Sequence, residues 1–305
     1  MPRPTSWSSS VLLLVALALP SQALAQACCA GSSALTPARL GIHEDGAVGI
    51  ILKGTGILGG WDGLGNYYVE PAGTGEFDAE LDVVGTLRVF TDGQVTVLIP
   101  FLKTWREAPG ISEWGGGIGD INVAGRYDFT HAGEFSVLPG IAVLVGVTFP
   151  TGRAPEFASN LLATDATGIG AFQLTGGVAL EQSYGHFLLN LTTLVGWRTP
   201  RSVRTVNETL GVQFQGLAGV GYAFDNDASL ALSFGYVAEL DAVINGQKVP
   251  DSGRALPTLG FSGSLPLGES WRLQGAINYN PPIPGLGKNQ TAGLGFQLSI
   301  LRTWT

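Results

Sequence analysis

From residue 47 onward the chain falls into short stretches in which apolar and polar positions alternate. Between Ser229 and Asp241, Leu230, Leu232, Phe234, Tyr236, Ala238 and Leu240 share one face. Ser229, Ala231, Ser233, Gly235, Glu239 and Asp241 share the other, and Val237 is the one exception. Trp271, Leu273, Ile277 and Tyr279 oppose Arg272, Gln274 and Asn278; Leu294, Phe296, Leu298 and Ile300 oppose Gly293, Gly295, Gln297 and Ser299. Asp120, Asn122, Arg126 and Asp128 oppose Ile121, Val123, Tyr127 and Phe129. Successive side chains of an extended chain point to opposite faces, so a period of two with one apolar face reads as strand. The same reading places strands at 47–56, 77–90, 95–104, 135–149, 169–181, 187–198, 212–224 and 255–267, twelve in all with the four above. Two of them, 95–104 and 135–149, carry apolar residues on both faces.

The connections sort by length. Thr91 to Gly93, Thr130 to Glu134, Gln182 to Gly185, Asp225 to Ala228 and Gly268 to Ser270 are tight turns rich in Asp, Gly and Ser. Between them lie longer links at 57–76, 105–117, 150–168, 199–211, 242–254 and 280–292. Short turns at one end and long loops at the other are the asymmetry of antiparallel barrels that span an outer membrane. The pattern therefore predicts an all-β, up-and-down transmembrane barrel over 47–305, with both termini in the periplasm and the long loops outside. Aromatics fall where two interfacial girdles belong. Trp105, Phe149, Trp197, Tyr236 and Tyr279 lie near the outer rim; Tyr127, Phe129, Phe135, Tyr184, Tyr222, Phe224, Trp271 and Trp304 lie near the inner one.

The start of the chain bears on the compartment. Arg3, the apolar run from Val11 to Leu19 and Ala23-Leu24-Ala25 read as a cleaved export signal over 1–25. Nine apolar residues are too few to cross ~30 Å of hydrocarbon at ~1.5 Å per helical residue. The segment 26–46 then either folds into the barrel as a plug or hangs as a periplasmic tail. Cys28 and Cys29 are adjacent and are the only two cysteines. A vicinal disulfide, intermolecular pairing or lipidation are the alternatives, although the Leu usual three residues before a lipidated Cys is missing.

Composition changes little but excludes some classes. Of 305 residues 45 are Gly, and 13% are charged. Glycine costs ~1 kcal/mol relative to Ala inside a helix, whereas a twisted wall uses it for bends and close contacts. A net charge of −8 without a basic stripe leaves no means of neutralising phosphates, so nucleic acid is not expected as a partner.

Inward polar residues group by height. Asp78, Glu80, Asp82, Asp120, Arg198, Glu239 and Asp241 are expected to line the outer mouth, with Arg254 as a further cation. Arg88, Arg126, Asp128, Glu181 and Arg272 are expected to line the inner mouth, with Arg302 beside them. This set makes either a solute path with an acidic outer vestibule or a lattice of ion pairs filling a closed interior, because a charge in low dielectric needs a partner. Three scattered histidines and two cysteines form no readable metal site, and no cofactor is expected. No catalytic residues are expected either: His43, His131 and His186 sit in a tail and at turns, and Gly260-Phe261-Ser262-Gly263 lacks the spacing of a nucleophile elbow. The glycines of 115–119 precede no Lys or helix, so they read as loop flexibility rather than a phosphate loop.

Gly117-Ile118-Gly119-Asp120, followed by Arg126-Tyr127-Asp128-Phe129, resembles a strand of the outer-membrane channel family associated with phenol meta-cleavage pathways. Val147 to Gly152, Val-Thr-Phe-Pro-Thr-Gly, resembles that family's next strand and loop entry. The resemblance implies a relative of long-chain fatty-acid channels, and passive uptake of small hydrophobic or aromatic solutes. The chain departs from the usual ending: Trp304 is penultimate and Thr305 follows, where a terminal aromatic is expected for the assembly machinery. The expected partners are membrane lipid and lipopolysaccharide, the barrel-assembly machinery during biogenesis, and a small hydrophobic solute. A barrel serving structure or surface interaction is the alternative, and an envelope hydrolase ranks third.

Overall fold

A computed structural model describes residues 39–134, 137–203 and 205–305. The export signal, Cys28, Cys29 and Phe135 lie outside the described residues. The first strands in chain order are β1 (Gly46–Trp61), β2 (Tyr67–Val69), β3 (Gly75–Phe90), β4 (Gly93–Ala108), β5 (Ile111–Ile118), β6 (Ile121–Thr130) and β7 (Gly140–Phe149). Then follow β8 (Gln173–Tyr184), β9 (Phe187–Arg198), β10 (Arg201–Val203), β11 (Val206–Thr209), β12 (Gln213–Ala223) and β13 (Ser229–Glu239). The last are β14 (Val243–Ile244), β15 (Gln247–Lys248), β16 (Arg254–Pro266), β17 (Trp271–Tyr279) and β18 (Gln290–Trp304).

Twelve antiparallel staves make the wall, in the order β1, β3, β4, β5 with β6, β7, β8, β9, β12, β13, β16, β17, β18. β5 and β6 are the upper and lower halves of one stave, and both pair with β4. β18 returns to β1, from Gly46 opposite Trp304 to Trp61 opposite Gln290, so the sheet closes. Closure joins the two ends of the main sheet, where an open edge of unpaired backbone groups would not be tolerated in hydrocarbon, and β5, off that path, pairs with β4 alone. No helix among the described residues is long and apolar enough to cross a membrane; crossing falls to the strands.

The two faces separate as the alternation demands. Outward side chains are apolar and exposed, among them Leu52, Leu232, Phe261, Phe296, Leu298 and Ile300. Inward neighbours such as Ala47, Ile51, Asp82, Thr86, Gln297 and Ser299 are buried. An apolar outer surface continuous around a closed wall is stable only against lipid. Rings of Tyr127, Phe129, Phe187, Tyr222 and Phe224 meet edge-on at 5.0 to 5.2 Å in the inner girdle. Glycine has a specific use at the seam. A Cβ on Gly54 would lie 2.5 Å from the ring of Phe296, the residue opposite it on β18, so the ring covers the bare backbone.

Several boundaries differ from those the alternation suggests. β1 runs on to Trp61, through Gly59 and Gly60, because both still pair with β18. The strands expected at 135–149 and 169–181 occupy Gly140–Phe149 and Gln173–Tyr184. Four of the long links carry strands of their own, and the first of them holds β2. The outer part of β4 forms a hairpin with β5 at the top of the wall, turning at Gly110 with φ 84°. β10, β11, β14 and β15 form a separate four-stranded sheet from the links after β9 and β13. Outside the bilayer neither face of a strand need be wholly apolar, so the period-two signal is lost there. The glycines at 115–117 belong to β5, which corrects the reading of a flexible loop. A Cβ on Gly115 would lie 2.4 Å from the backbone of Thr164, so the link between β7 and β8 packs directly on the glycine-lined stave.

Candidate functional site: a lumen in three chambers

Three cavities follow one another along the barrel axis: about 600 Å³ at the outer end, about 280 Å³ in the middle and about 810 Å³ at the inner end. Neighbouring cavities share wall residues. Lys53, Glu80 and Gln297 border both the outer and the middle chamber. Arg39, Arg272 and Thr303 border both the middle and the inner one. Charged groups thus stand at each narrowing.

The upper narrowing is built on β1 and β3. Register sets Lys53 opposite Glu80, and Ile51 opposite Asp82. The Lys53 ammonium reaches both carboxylates, at 2.7 Å to Glu80 and 2.6 Å to Asp82, and Asp82 is fully buried. One cation between two carboxylates leaves the trio one negative charge. Asp78, one step higher on β3, accepts a hydrogen bond from Thr104 Oγ1 at 2.8 Å. Arg106 pairs with Glu76 at 2.9 Å and donates to the carbonyl oxygen of Leu162 at 2.8 Å.

Two of the carboxylates expected at the outer mouth act on loops instead. Asp120 accepts from the amides of Gly152 at 2.9 Å and Ile169 at 2.7 Å, closing both ends of the β7–β8 link onto the wall. Asp241 lies beyond β13 and accepts from the Gly253 amide at 2.7 Å and pairs with Lys248 at 3.1 Å. The Gly253 N–H, and then Lys248, hold its carboxyl below the usual range. Arg198 and Glu239 pair at 2.6 Å, and Arg198 also donates to Gln173 at 2.8 Å. Arg254 stands opposite Glu239 in register but is exposed. The vestibule is therefore a set of tied carboxylates rather than an open acidic field.

The middle chamber has two kinds of wall. Ile51, Val84, Leu98, Leu144 and Leu194 give it apolar surface, and Gln173, Gln215, Gln274 and Gln297 give it amides. Below it, Arg126 on β6 pairs with Asp128 at 2.7 Å and with Glu181 of β8 at 3.1 Å. Arg39, in the segment before β1, joins this group: it pairs with Glu181 and lies 3.7 Å from Asp128. Arg88 donates to the carbonyl oxygens of Gly41 at 2.6 Å and Glu44 at 2.9 Å, and Arg272 pairs with Glu44 at 2.7 Å. Arg302 does not join the inner mouth. It faces outward, exposed, with its guanidinium 5.9 Å from the Trp271 ring, because its parity on β18 is that of Leu298 and Ile300.

Lys53, Arg39 and Arg106 escaped the sequence reading. Lys53 could have been found, since it is the single charge of β1 and alternates with Leu52 and Gly54. Arg39 lies in no strand, so no periodicity marks it. Among the described residues no cluster of three or more His, Cys, Asp or Glu could hold a metal.

No family model matches the chain. Its fold is similar to that of an outer-membrane channel from Pseudomonas putida F1, with a TM-score of 0.68 over 86% of this chain and 96% of that one, at 12% identity. The chain is an outer-membrane-type β-barrel. At that identity the likeness is one of fold. A toluene transporter of Pseudomonas putida also matches over 85% of this barrel and 89% of its own chain, at 8% identity and a TM-score of 0.42. In sequence, 157 residues are 30% identical to the N-(5'-phosphoribosyl)anthranilate isomerase of Rhodospirillum centenum, over 47% of this chain and 72% of that protein. By sequence the barrel belongs with that protein in one family. The isomerase name is that protein's own; here the lumenal carboxylates Glu80, Asp82, Asp128 and Glu181 are bound to Lys53, Arg39 and Arg126, an arrangement suited to holding a wall.

Proposed function

We propose that the barrel is a channel for passive uptake of small amphipathic solutes, hydrophobic or aromatic bodies with a polar group, across the outer membrane. The row of three cavities with shared walls carries this reading. A lumen meant only to fill itself would not enclose such volumes, because native interiors leave few voids larger than a water molecule. The middle chamber supports the solute class: leucine and isoleucine side chains would take an apolar body while the glutamines orient its polar end. Export through a cleaved leader, contact with lipid and lipopolysaccharide, and delivery by the barrel-assembly machinery belong to the same reading. Swelling of liposomes holding the full-length protein tests it, using phenol-sized and sugar-sized solutes. Faster swelling with the former is expected; no permeability to any solute would overturn the proposal.

A second reading, a surface-interaction barrel, draws on the four-stranded sheet that β10, β11, β14 and β15 hold above the wall. Removing the β14–β15 hairpin would leave swelling intact and abolish cell adhesion if that reading holds.

A further inference from the structure

We infer that Asp128, Glu181 and Arg126 form a guanidinium socket on the barrel wall, filled by Arg39 of the chain's own N-terminal segment, and that this contact latches the inner mouth shut. Three observations carry it. The wall's own members sum to one negative charge, since Arg126 is shared between two carboxylates. Arg39 brings the group to neutrality, with 8% of its surface exposed. A carboxylate left unpaired at such depth is costly, so the socket favours an occupant.

The rest of the segment is shaped to keep Arg39 there. The Leu40 amide donates to Gln94 Oε1 at 3.0 Å, and Leu40 itself is buried. Arg88 grips the carbonyl oxygens of Gly41 and Glu44, and Arg272 grips the Glu44 carboxylate. The anchors come from β3, β4 and β17, and the socket from β6 and β8, so residues 39–44 are fastened to well-separated staves around the mouth. Arg39 borders both the middle and the inner chamber, which places its side chain on the path between them. Release of one side chain would join the two volumes. The ligand class is given by the occupant: a planar guanidinium presents paired donors that fit two carboxylates. Free guanidinium ion, or a solute carrying that group, competes with Arg39 for the socket.

The latch rests on the channel reading only for its effect on flow, so two measurements are needed on the full-length protein. In planar bilayers, Arg39→Ala and Glu181→Gln should each raise mean conductance about twofold or more. The exchanged pair Arg39→Glu with Glu181→Arg should return conductance toward the starting value. Millimolar guanidinium chloride should raise it above equal sodium chloride in the unaltered protein and not in Arg39→Ala. Separately, amide exchange at Leu40 to Glu44 should quicken about tenfold in both single variants, with heat-modifiable mobility confirming a folded barrel. Unchanged exchange in folded Arg39→Ala overturns the latch, whatever the conductance. Faster exchange with conduction unaltered overturns its role in closing the pore. Faster exchange with no conduction in any variant keeps the socket and overturns the channel.

Discussion

Lys53 Nζ lies 2.6 Å from a carboxylate oxygen of Asp82, a side chain with none of its surface exposed, and 2.7 Å from Glu80. A single ammonium thus faces two carboxylates, the buried Asp82 and the half-buried Glu80. Removing one partner of a buried ion pair strands the other and costs roughly 3–5 kcal/mol. Lys53→Met should destabilise the barrel by about that amount in urea unfolding from lipid vesicles. Adding Asp82→Asn to Lys53→Met should recover part of the loss, because one stranded charge is gone. A double variant no more stable than the single one would mean that Lys53 acts through packing alone.

Neighbouring positions on β18 should differ sharply. Leu298 is 50% exposed on the outward face, whereas Gln297 is buried on the inward one. An Arg on the lipid face near the midplane costs ~2–4 kcal/mol. Leu298→Arg should therefore lower unfolding stability by that much, while Gln297→Ala, on the lumen side, should cost about 1 kcal/mol or less. Equal losses at the two positions would contradict the assignment of faces.

The glycines of β5 make a prediction about the outer mouth. A Cβ on Gly115 would come 2.4 Å from the Thr164 backbone, so Gly115→Val must displace the link that Asp120 holds at both ends. Overpacking of this kind costs about 1–3 kcal/mol. The amides of Ser159 and Asn160 should then exchange faster, while those of β1 and β18 stay protected. Unaltered exchange at 159 and 160 would show that the link yields without loosening.

That same link should respond to acid. The Ser159 amide, followed by that of Asn160 and the Arg153 guanidinium, holds the Asp165 carboxyl at about 2. An ordinary Asp titrates near ~3.9, so the folded group keeps its charge where the unfolded one has lost it. Its contribution to order is present above about pH 4 and fades as pH falls toward 2. Ser159 and Asn160 amide resonances should hold their positions from neutral pH to about 4 and move below it. Asp165→Asn should abolish the transition; a midpoint near 4 in the folded protein would mean the amide contacts contribute nothing.

Much of the wall was legible in the alternation of residues. Phe187–Arg198 and Trp271–Tyr279 have the bounds the pattern suggests, because lipid on one side and polar lumen on the other impose opposite demands on successive residues. The signal weakens wherever that contrast does. The four-stranded outer sheet and the β4–β5 hairpin lie beyond the bilayer and look like loops in one dimension. Arg302 shows a subtler failure: a charge suggests the lumen, yet parity on β18 turns it outward beside Trp271, where a long side chain can reach the interface.

The sequence by itself determined the antiparallel wall, its twelve staves and, where one face alone is apolar, the side that meets lipid, since these follow from a period of two and from turn length. Tertiary structure alone decided how charges far apart in the chain meet. Arg39 and Glu181 are separated by 142 positions, and Lys53 and Glu80 by 27, and no local pattern records either partnership. Register around a closed ring fixes which inward residues share a height, and that depends on every strand pairing at once. The charged clusters between the chambers exist only after closure.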